Sequence, residues 1–474
     1  MLFNSYIFVL FFLPIVILGY FLLNRLSFKR TAMIYLLGMS LWFYGFFNYS
    51  YLIIMISSIV INYFAYLGIC KYSKKTFTKK IILIIALFMN IAALFYFKYY
   101  DFFIENINAI FKVDFALKHI LLPLGISFFT FQQLSFVIDA YNGEVPEYSF
   151  VDYACFVTYF PQLVAGPIVT HDELVYQFSD DSKKNFNWDN FTKGLYGFVL
   201  GLSKKVLIAD MLGNVVNYGY SNISEMRSVD AIIVILAYTI QIYFDFSGYS
   251  DMAIGMGKMM NIDLPINFNS PYKANTINEF WDRWHITLTR FFTKYVYIPL
   301  GGNRKGELRT YVNIMIVYLV SGIWHGANWT FIFWGLCHGA FCVITRAFKN
   351  FFEKIPKLIN WLMTFVFVNI MWVFFRADTM NDAFALIKSI FIQSNGLSSS
   401  LIQPIISAEW KFIASQIGFL GVNTHLILLA YIIVPFIIML CCKNVNQNLA
   451  CLKPTFSTAL MISILLTLCI ISFA

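Results

Sequence analysis

The chain alternates between apolar runs of about 20 residues and short polar loops. A helix needs roughly 20 mostly apolar residues to cross the hydrocarbon core of a bilayer. The pattern therefore predicts an all-α polytopic membrane protein with roughly 11–12 transmembrane helices. The candidate spans are 4–23, 31–48, 50–70, 81–98, 119–138, 194–216, 230–256, 311–326, 328–346, 358–376, 424–442 and 456–474.

Lysine and arginine are concentrated in a few loops, and successive basic loops are separated by an even number of predicted spans. Loops separated by an even number of spans lie on the same side of the membrane, and an excess of lysine and arginine is typical of the cytoplasmic side. The loops at 24–30, 71–80, 304–309 and 347–357 are therefore predicted to be cytoplasmic. The connection GFFNYSY between the first two of these loops carries no charge. Both termini and the segment 377–423 are predicted to be extracytoplasmic. Short amphipathic pieces are expected within that segment, around DAFALIKSIF.

Two regions do not fit simple spanning helices. Segment 151–170, VDYACFVTYFPQLVAGPIVT, is apolar but interrupted by two prolines and a glycine, and it is predicted to be re-entrant. Segment 258–309 mixes aromatic and charged residues and is predicted to form cytoplasmic and interfacial helices. Asn275 or Thr276 could cap one helix running through EFWDRWHITLTRFF. No internal repeat of the kind found in secondary transporters is evident.

The composition excludes a conventional soluble domain. Only 12% of the residues are charged, 59% are hydrophobic and the mean hydropathy is +0.69. The net charge of +9 resides in loops, so nucleic-acid binding is not indicated. The eight cysteines include no C-x-x-C pair, so neither a disulfide framework nor a metal site is predicted. Common catalytic motifs such as G-x-S-x-G, H-E-x-x-H, H-x-x-x-D and the P-loop are absent from the sequence.

Two histidines stand where an ionisable side chain is unexpected. His325 lies in WHGAN, the turn between two predicted spans, and an imidazole is costly in hydrocarbon unless it is used or satisfied. The nearby Asn328 could orient its ring. His285, in FWDRWHITL, is predicted to be a helix residue paired with Asp282 or with a backbone carbonyl. From these residues alone, a catalytic role and a structural role remain open for both histidines.

Other polar groups in apolar surroundings have structural interpretations. His338 lies deeper on the following helix and is predicted to be structural. Asp245 and Asp251, in QIYFDFSGYSDMAIG, are costly in a membrane and should face a cavity or a partner. A structural tie between helices explains them as well as catalysis does. The remaining histidines lie near span ends or in loops and need no special explanation: His119, His171 and His425.

Several stretches resemble the membrane-bound O-acyltransferase (MBOAT) family. The resemblance rests on FDFSGYSDMAIGMGKMMNIDLPINFNSPYKANTINEFWDRWHITLTRFFTKYVYIPLGGNRKG and on SGIWHGANWTFIFWGLCHG. The opening MLFNSYIFVLFFLP and the segment FPQLVAGPIV are similar to the bacterial branch that contains alginate and peptidoglycan O-acetyltransferases. The resemblance covers nearly the whole chain as one domain, 1–474. It implies helices arranged in a ring around a thin central region with a tunnel.

The resemblance also implies functional residues. His325 of WHG matches the catalytic histidine of the family, and His285 of RWH matches a second, upstream histidine. The turn 321–330 would then be catalytic, with Trp324 and Asn328 as candidate substrate contacts. No bound cofactor or metal is expected. The donor would be acetyl-CoA or another pantetheine thioester, and candidate cytoplasmic ligands for its phosphates are Lys273, Arg283, Lys294, Arg304 and Lys305.

The implied activity is transfer of acetyl from a cytoplasmic thioester to an extracytoplasmic polysaccharide, in the bacterial cytoplasmic (inner) membrane. A separate secreted or membrane-anchored acetyltransferase is expected to finish the transfer, and membrane lipid surrounds the chain. Two alternatives remain: D-alanyl transfer in teichoic-acid modification, and a polysaccharide transporter or flippase without chemistry. The sequence does not identify the polysaccharide.

Overall fold

The structure is a computed structural model that describes residues 1–46, 48–164, 166–391, 396–401 and 424–473. These residues are mostly helical and contain no β-strand, apart from an isolated antiparallel bridge between Phe268 and Trp284. The helices of the first half are α1 (Leu13–Arg25), α2 (Lys29–Gly45), α3 (Tyr49–Lys71), α4 (Thr76–Leu94), α5 (Tyr100–Phe111), α6 (Ile126–Asn142), α7 (Phe150–Thr158), α8 (Phe160–Leu163), α9 (His171–Ser179), α10 (Trp188–Ser203) and α11 (Asp210–Ser221).

Longer helices dominate the second half of the chain. They are α12 (Ser228–Met259), α13 (Ile277–Arg283), α14 (Ile286–Phe292), α15 (Glu307–His325), α16 (Trp329–Ala347), α17 (Lys349–Phe352), α18 (Lys357–Arg376), α19 (Met380–Ser389), α20 (Thr424–Cys441), α21 (Val445–Ala450) and α22 (Phe456–Ile471). Wider π-helical turns extend α1, α4, α10 and α14 at Phe8–Phe12, Phe95–Tyr99, Lys204–Ala209 and Thr293–Tyr297. Those at Phe95–Tyr99 and Lys204–Ala209 join α4 to α5 and α10 to α11.

Within the described residues, six helices are long and apolar enough to cross a bilayer. They are Phe8–Arg25, Tyr49–Lys71, Thr76–Phe111, Ser228–Met259, Trp329–Ala347 and Lys357–Arg376. Two shorter apolar helices, Leu426–Cys441 and Phe456–Ile471, lie near the C-terminus. The chain is therefore a multi-pass membrane protein with a helical fold, as the apolar runs predict. The expected 11–12 spans exceed these six because the other helices are shorter or more polar.

One expected span, 119–138, differs in the structure. Residues 113–123 are not helical, and α6 begins only at Ile126. Pro123 and Gly125 interrupt this run, and Gly125 has a φ of +70°, a conformation that suits glycine. The apolar run is thus an irregular segment followed by a helix of 17 residues.

The segment 151–170 forms two short buried helices. Helix α7 ends at Thr158, α8 follows after Tyr159, and the side chains from Tyr153 to Leu163 are buried. At 1.5 Å per residue, the nine residues of α7 reach only about 13 Å, too short to cross a bilayer. The broken backbone agrees with the prolines in the sequence, whereas its position relative to the membrane stays a prediction.

The helix expected through EFWDRWHITLTRFF is two helices. Thr276 caps α13 by accepting a hydrogen bond from the backbone N–H of Glu279, 3.2 Å away. Helix α13 then ends at Arg283, and α14 begins at Ile286. His285 lies at the break with a φ of +47°, so the expectation of a helical His285 is wrong. The bridge between Phe268 and Trp284 holds this break against the preceding loop.

Helices α15 and α16 form a tight antiparallel hairpin. A methyl group added at Gly322 would lie 2.5 Å from the carbonyl oxygen of Phe331 and 3.3 Å from the Cα of Gly335. Small residues at such a crossing allow two backbones to approach closely. This contact lies one helical turn before His325 and fixes the position of the end of α15.

The segment 377–423 is described in part. Helix α19 corresponds to the expected amphipathic piece, with Ala383 and Leu386 buried and Phe384 exposed. Residues 392–395 and 402–423 lie outside the described residues, and the location of the segment outside the membrane stays a prediction.

Candidate active site

His285 and His325 line one cavity of about 310 Å³ in the helical core. Four tryptophans and three phenylalanines supply much of its apolar wall. The residues that line the cavity are Lys98, Ser127, Phe128, Ile242, Asp245, Phe246, Trp284, His285, Trp324, His325, Trp334, Trp372 and Phe375. The structure therefore brings together two histidines that are 40 residues apart in the sequence.

His325 is placed by the end of its helix. It is the last residue of α15, and the extended backbone of Gly326 begins the turn to α16. Aromatic rings surround the imidazole, with centroid distances of 4.8 Å to Trp324, 5.1 Å to Trp334 and 5.0 Å to Phe375. Within the described part of the chain, no side chain or backbone group hydrogen-bonds to the ring. Its nitrogens are thus available to a molecule in the cavity.

His285 is held by an amide that the sequence did not reveal. Its Nδ1 lies 3.0 Å from Oδ1 of Asn267. The backbone N–H of Thr287 donates to the same oxygen over 3.3 Å, and the hydroxyl of Thr287 donates over 3.0 Å. A backbone N–H needs an acceptor, so this contact identifies the Asn267 atom as the amide oxygen.

This arrangement sets the tautomer of His285. Nδ1 must carry the proton that it donates to Asn267, which leaves Nε2 with a lone pair. Nε2 is buried and has no hydrogen-bond partner among the described residues. The expected pairing of His285 with Asp282 or a backbone carbonyl is therefore wrong, because the amide of Asn267 takes that position.

Lys98 is a cavity residue that the sequence interpretation missed. It stands at the end of the expected span 81–98, where lysine is ordinary, but the structure continues that helix through Phe111. Its ammonium group donates to the carbonyl oxygen of Trp324 and lies 3.4 Å from the hydroxyl of Ser127. The available signal in the sequence was a lysine at the end of an apolar run, with further aromatic and apolar residues following it as far as Phe111.

The intramembrane carboxylates form ion pairs, as their structural interpretation expects. Lys205 contacts Asp245 at 2.6 Å and Asp210 at 2.7 Å, and Lys204 contacts Asp251 at 2.5 Å. These contacts tie α12 to the turn after α10. Asp245 also lines the cavity, and it shares the ammonium group of Lys205 with Asp210.

Asn328 has a different role from the expected one. Its side-chain oxygen accepts the backbone N–H of Thr330 over 3.0 Å and so caps α16, while its amide nitrogen donates to the carbonyl of Asp378 over 2.7 Å. The amide is not hydrogen-bonded to His325, and Asn328 does not line the cavity. Trp324, the other candidate substrate contact, does line it.

The candidate phosphate ligands lie away from the cavity wall. Lys273 donates to the carbonyl of Cys442 over 2.8 Å, and Arg283 pairs with Glu279 at 2.6 Å. Lys294 pairs with Asp139 at 3.0 Å and with Glu144 at 2.9 Å. Arg304 and Lys305 occupy the exposed turn before α15. Binding of donor phosphate by these cations stays a prediction.

Two further histidines are buried. His338 accepts a hydrogen bond at Nδ1 from the indole N–H of Trp281 over 3.2 Å, in agreement with a structural role. His171, which the sequence places in an ordinary loop position, is 2% exposed and lies 3.5 Å from the fully buried Asp139. No cluster of three or more potential metal ligands occurs among the described residues.

The cavity has the groups that an acyl transfer needs. An imidazole with free nitrogens can take a proton from a hydroxyl, which is a poor nucleophile at its own pKa. Aromatic walls reduce access of water, which would otherwise compete for an activated acyl group. A cation beside the same cavity can oppose developing negative charge.

Comparison with known proteins agrees with this chemistry. The chain is 44% identical over 429 residues to the peptidoglycan O-acetyltransferase of Helicobacter pylori, covering 84% of this chain and 81% of the relative. It is 40% identical over 397 residues to the probable alginate O-acetylase AlgI of Pseudomonas aeruginosa, covering 82% and 75%. The teichoic acid D-alanyltransferase of Bacillus subtilis is 26% identical over 247 residues, covering 50% and 62%. Residues 125–381 match the model of the membrane-bound O-acyltransferase family. The chain belongs to the membrane-bound O-acyltransferase (MBOAT) family.

Proposed function

We propose that this membrane enzyme moves an acetyl group from a cytoplasmic thioester donor across the membrane for O-acetylation of an extracytoplasmic polysaccharide. The observation that carries the proposal is the convergence of His285 and His325 on one aromatic-walled cavity in a member of an acyltransferase family. The extensive similarity to proteins named peptidoglycan O-acetyltransferase and alginate O-acetylase favours acetyl transfer and these classes of polysaccharide.

His325 acts as the general base. A ring nitrogen of His325 takes the proton of the acceptor hydroxyl while the hydroxyl oxygen bonds to the carbonyl carbon of the thioester. The π electrons of the carbonyl move onto the carbonyl oxygen. The tetrahedral intermediate then re-forms the carbonyl as the C–S bond breaks. The departing thiolate takes the proton from the imidazolium. His285 presents Nε2 as a hydrogen-bond acceptor that positions the hydroxyl.

The donor is acetyl-CoA or another pantetheine thioester that approaches from the cytoplasm. The basic loops predicted to be cytoplasmic supply positive charge for its phosphates, with Lys273, Arg304 and Lys305 as the candidates. The enzyme resides in the cytoplasmic (inner) membrane of a bacterium. A separate secreted or membrane-anchored acetyltransferase receives the acetyl group and completes its transfer to the polysaccharide.

The test uses the purified protein in lipid vesicles with radiolabelled acetyl-CoA and, in parallel, peptidoglycan or alginate fragments. The quantities measured are free CoA thiol and label in ester linkage, with and without a membrane fraction that supplies the second acetyltransferase. Protein-dependent ester formation is expected. Use of a D-alanyl thioester carrier protein in place of acetyl-CoA would instead support the more distant D-alanyltransferase relatives. Transport of the polysaccharide with no thiol release would contradict an enzymatic function.

A further inference from the structure

Lys98 is a cation inside the cavity of the two histidines, and none of the described carboxylates forms an ion pair with it. Asp245 lines the same cavity, but its partner is Lys205, at 2.6 Å. Lys98 is half-buried. An ammonium group within an apolar helix is costly in a membrane, and such groups are typically retained where they face a functional cavity. Lys98 also precedes the segment 125–381 that matches the family model, so the match assigns it no role.

The contacts of Lys98 leave part of its hydrogen-bonding capacity for the cavity. An ammonium group has three N–H donors. One donates to the carbonyl of Trp324, and the hydroxyl of Ser127 lies 3.4 Å from Nζ. The ammonium also lies 5.6 Å from the Trp324 ring centroid and 5.7 Å from that of Tyr99. The carbonyl of Trp324 belongs to the residue next to His325, so the cation is anchored beside the base.

We propose that Lys98 is a catalytic residue that stabilises the oxyanion formed on the acyl carbonyl during transfer. This inference rests on the proposed function. The negative charge appears on the carbonyl oxygen when the acceptor oxygen attacks, and it disappears when the C–S bond breaks. A cation fixed beforehand in an apolar cavity opposes that charge without the reorganisation that water would require. His325 carries the proton from the acceptor hydroxyl to the departing thiolate, and Lys98 donates only a hydrogen bond.

If Lys98 only anchors the end of α15, its replacement should lower activity no more than loss of another anchor at the same place. Its bond to Trp324 satisfies a carbonyl at the C-terminus of α15, where a cation is also favourable to the helix dipole. The adjacent Tyr99 makes the same kind of tie, since its hydroxyl donates to the carbonyl of Ile323 over 2.8 Å. Tyr99 does not line the cavity. Tyr99→Phe is therefore a matched control for loss of an anchor at the end of α15.

The test compares Lys98→Met, Lys98→Gln, Lys98→Arg and Tyr99→Phe in purified full-length protein with acetyl-CoA, polysaccharide fragments and the membrane fraction that supplies the second acetyltransferase. Lys98→Gln keeps a donor for the Trp324 carbonyl but removes the charge, so it remains informative if Lys98→Met does not fold. For Lys98→Met and Lys98→Gln, kcat should fall about 10²–10³-fold, as for loss of an oxyanion donor, with KM for acetyl-CoA little changed. Lys98→Arg should recover part of kcat, and Tyr99→Phe should lower thermal stability more than kcat.

The inference is overturned if folded Lys98→Gln turns over like the parent, if Lys98→Met and Tyr99→Phe lose equal activity, or if the loss is entirely in KM. Parent and His325→Gln proteins are measured beside them. An active parent and an inactive His325→Gln protein with unaffected Lys98 variants would refute only the role of Lys98. A parent that transfers no acetyl group would refute the proposed function and this inference with it.

Discussion

The side chain of Asn328 is engaged in two hydrogen bonds that hold the turn after His325. Asn328→Ala should therefore cost about 0.5–2 kcal/mol of unfolding free energy, the usual range for loss of an N-cap. Thermal unfolding in detergent measures this, with Asn328→Asp as the control because a carboxylate can still cap α16. An Asn328→Ala protein that unfolds like the parent but transfers acetyl as poorly as His325→Gln would show that Asn328 contacts the substrate or the imidazole.

At this scale, the sequence reveals some site residues and hides others. His285 and His325 can be found because an imidazole within apolar, aromatic sequence requires an explanation. Asn267 cannot be found, because it lies in an irregular polar segment where asparagine is ordinary. Lys98 is hidden by a span boundary: a lysine at the end of a span reaches the interface, whereas the structure continues the helix past it.

The crossing of α15 and α16 connects helix packing to the position of His325. Gly322→Ala places a methyl group 2.5 Å from the Phe331 carbonyl oxygen, so the helices must separate. Overpacking of this kind typically costs about 1–3 kcal/mol, and the shift should also lower the acyl-transfer rate. Thermal unfolding and acetyl transfer are measured together. Gly38→Ala in α2 is the control, because nothing lies within 4 Å of the added methyl group.

If Gly322→Ala were as stable and as active as Gly38→Ala, close contact at this crossing would not be what positions His325. Helical propensity alone favours alanine at both positions by up to about 1 kcal/mol, so a loss confined to Gly322→Ala isolates the effect of packing.

At the level of elements, breaks that prolines and glycines cause could be predicted, and breaks that tertiary contacts cause could not. Pro161 indicates the interruption after α7, which the structure contains. The break between α13 and α14 has no proline or glycine. It depends on the bonds of Asn267 to His285 and Thr287, which join residues 18 and 20 positions apart. Local propensity carries no information about such contacts.

For the whole molecule, the distribution of lysine and arginine predicts an orientation that cysteine labelling can test. After replacement of the exposed native cysteines with serine, Ser73→Cys should react with a membrane-impermeant maleimide only in permeabilised cells. Asn381→Cys, in α19, should react in intact cells. Both side chains are exposed on the protein, so differences in labelling report the side of the membrane. Labelling of Ser73→Cys in intact cells would invert the proposed orientation.

Hydropathy predicts the class of the whole molecule better than its number of spans. The apolar runs correctly indicate a helical membrane protein, because backbone groups in lipid must be satisfied within each helix. The expected number of spans exceeds the six long apolar helices among the described residues because some apolar runs, such as 119–138, are only partly helical. Apolar character is the same whether a residue faces lipid or other helices, so composition does not separate the two environments.

The central claim, that His325 is the base for acyl transfer, is tested most directly by the rate of acetyl transfer with His325→Gln. Glutamine keeps hydrogen-bonding groups in the turn but cannot accept and return a proton near neutral pH. The protein should fold like the parent, while kcat falls by about 10²–10⁴-fold, as expected for loss of an acid–base group. His119→Gln, at an exposed loop position, is the matched control and should retain the parental rate. Near-parental transfer by folded His325→Gln would contradict the account, and His325 would then be a structural residue.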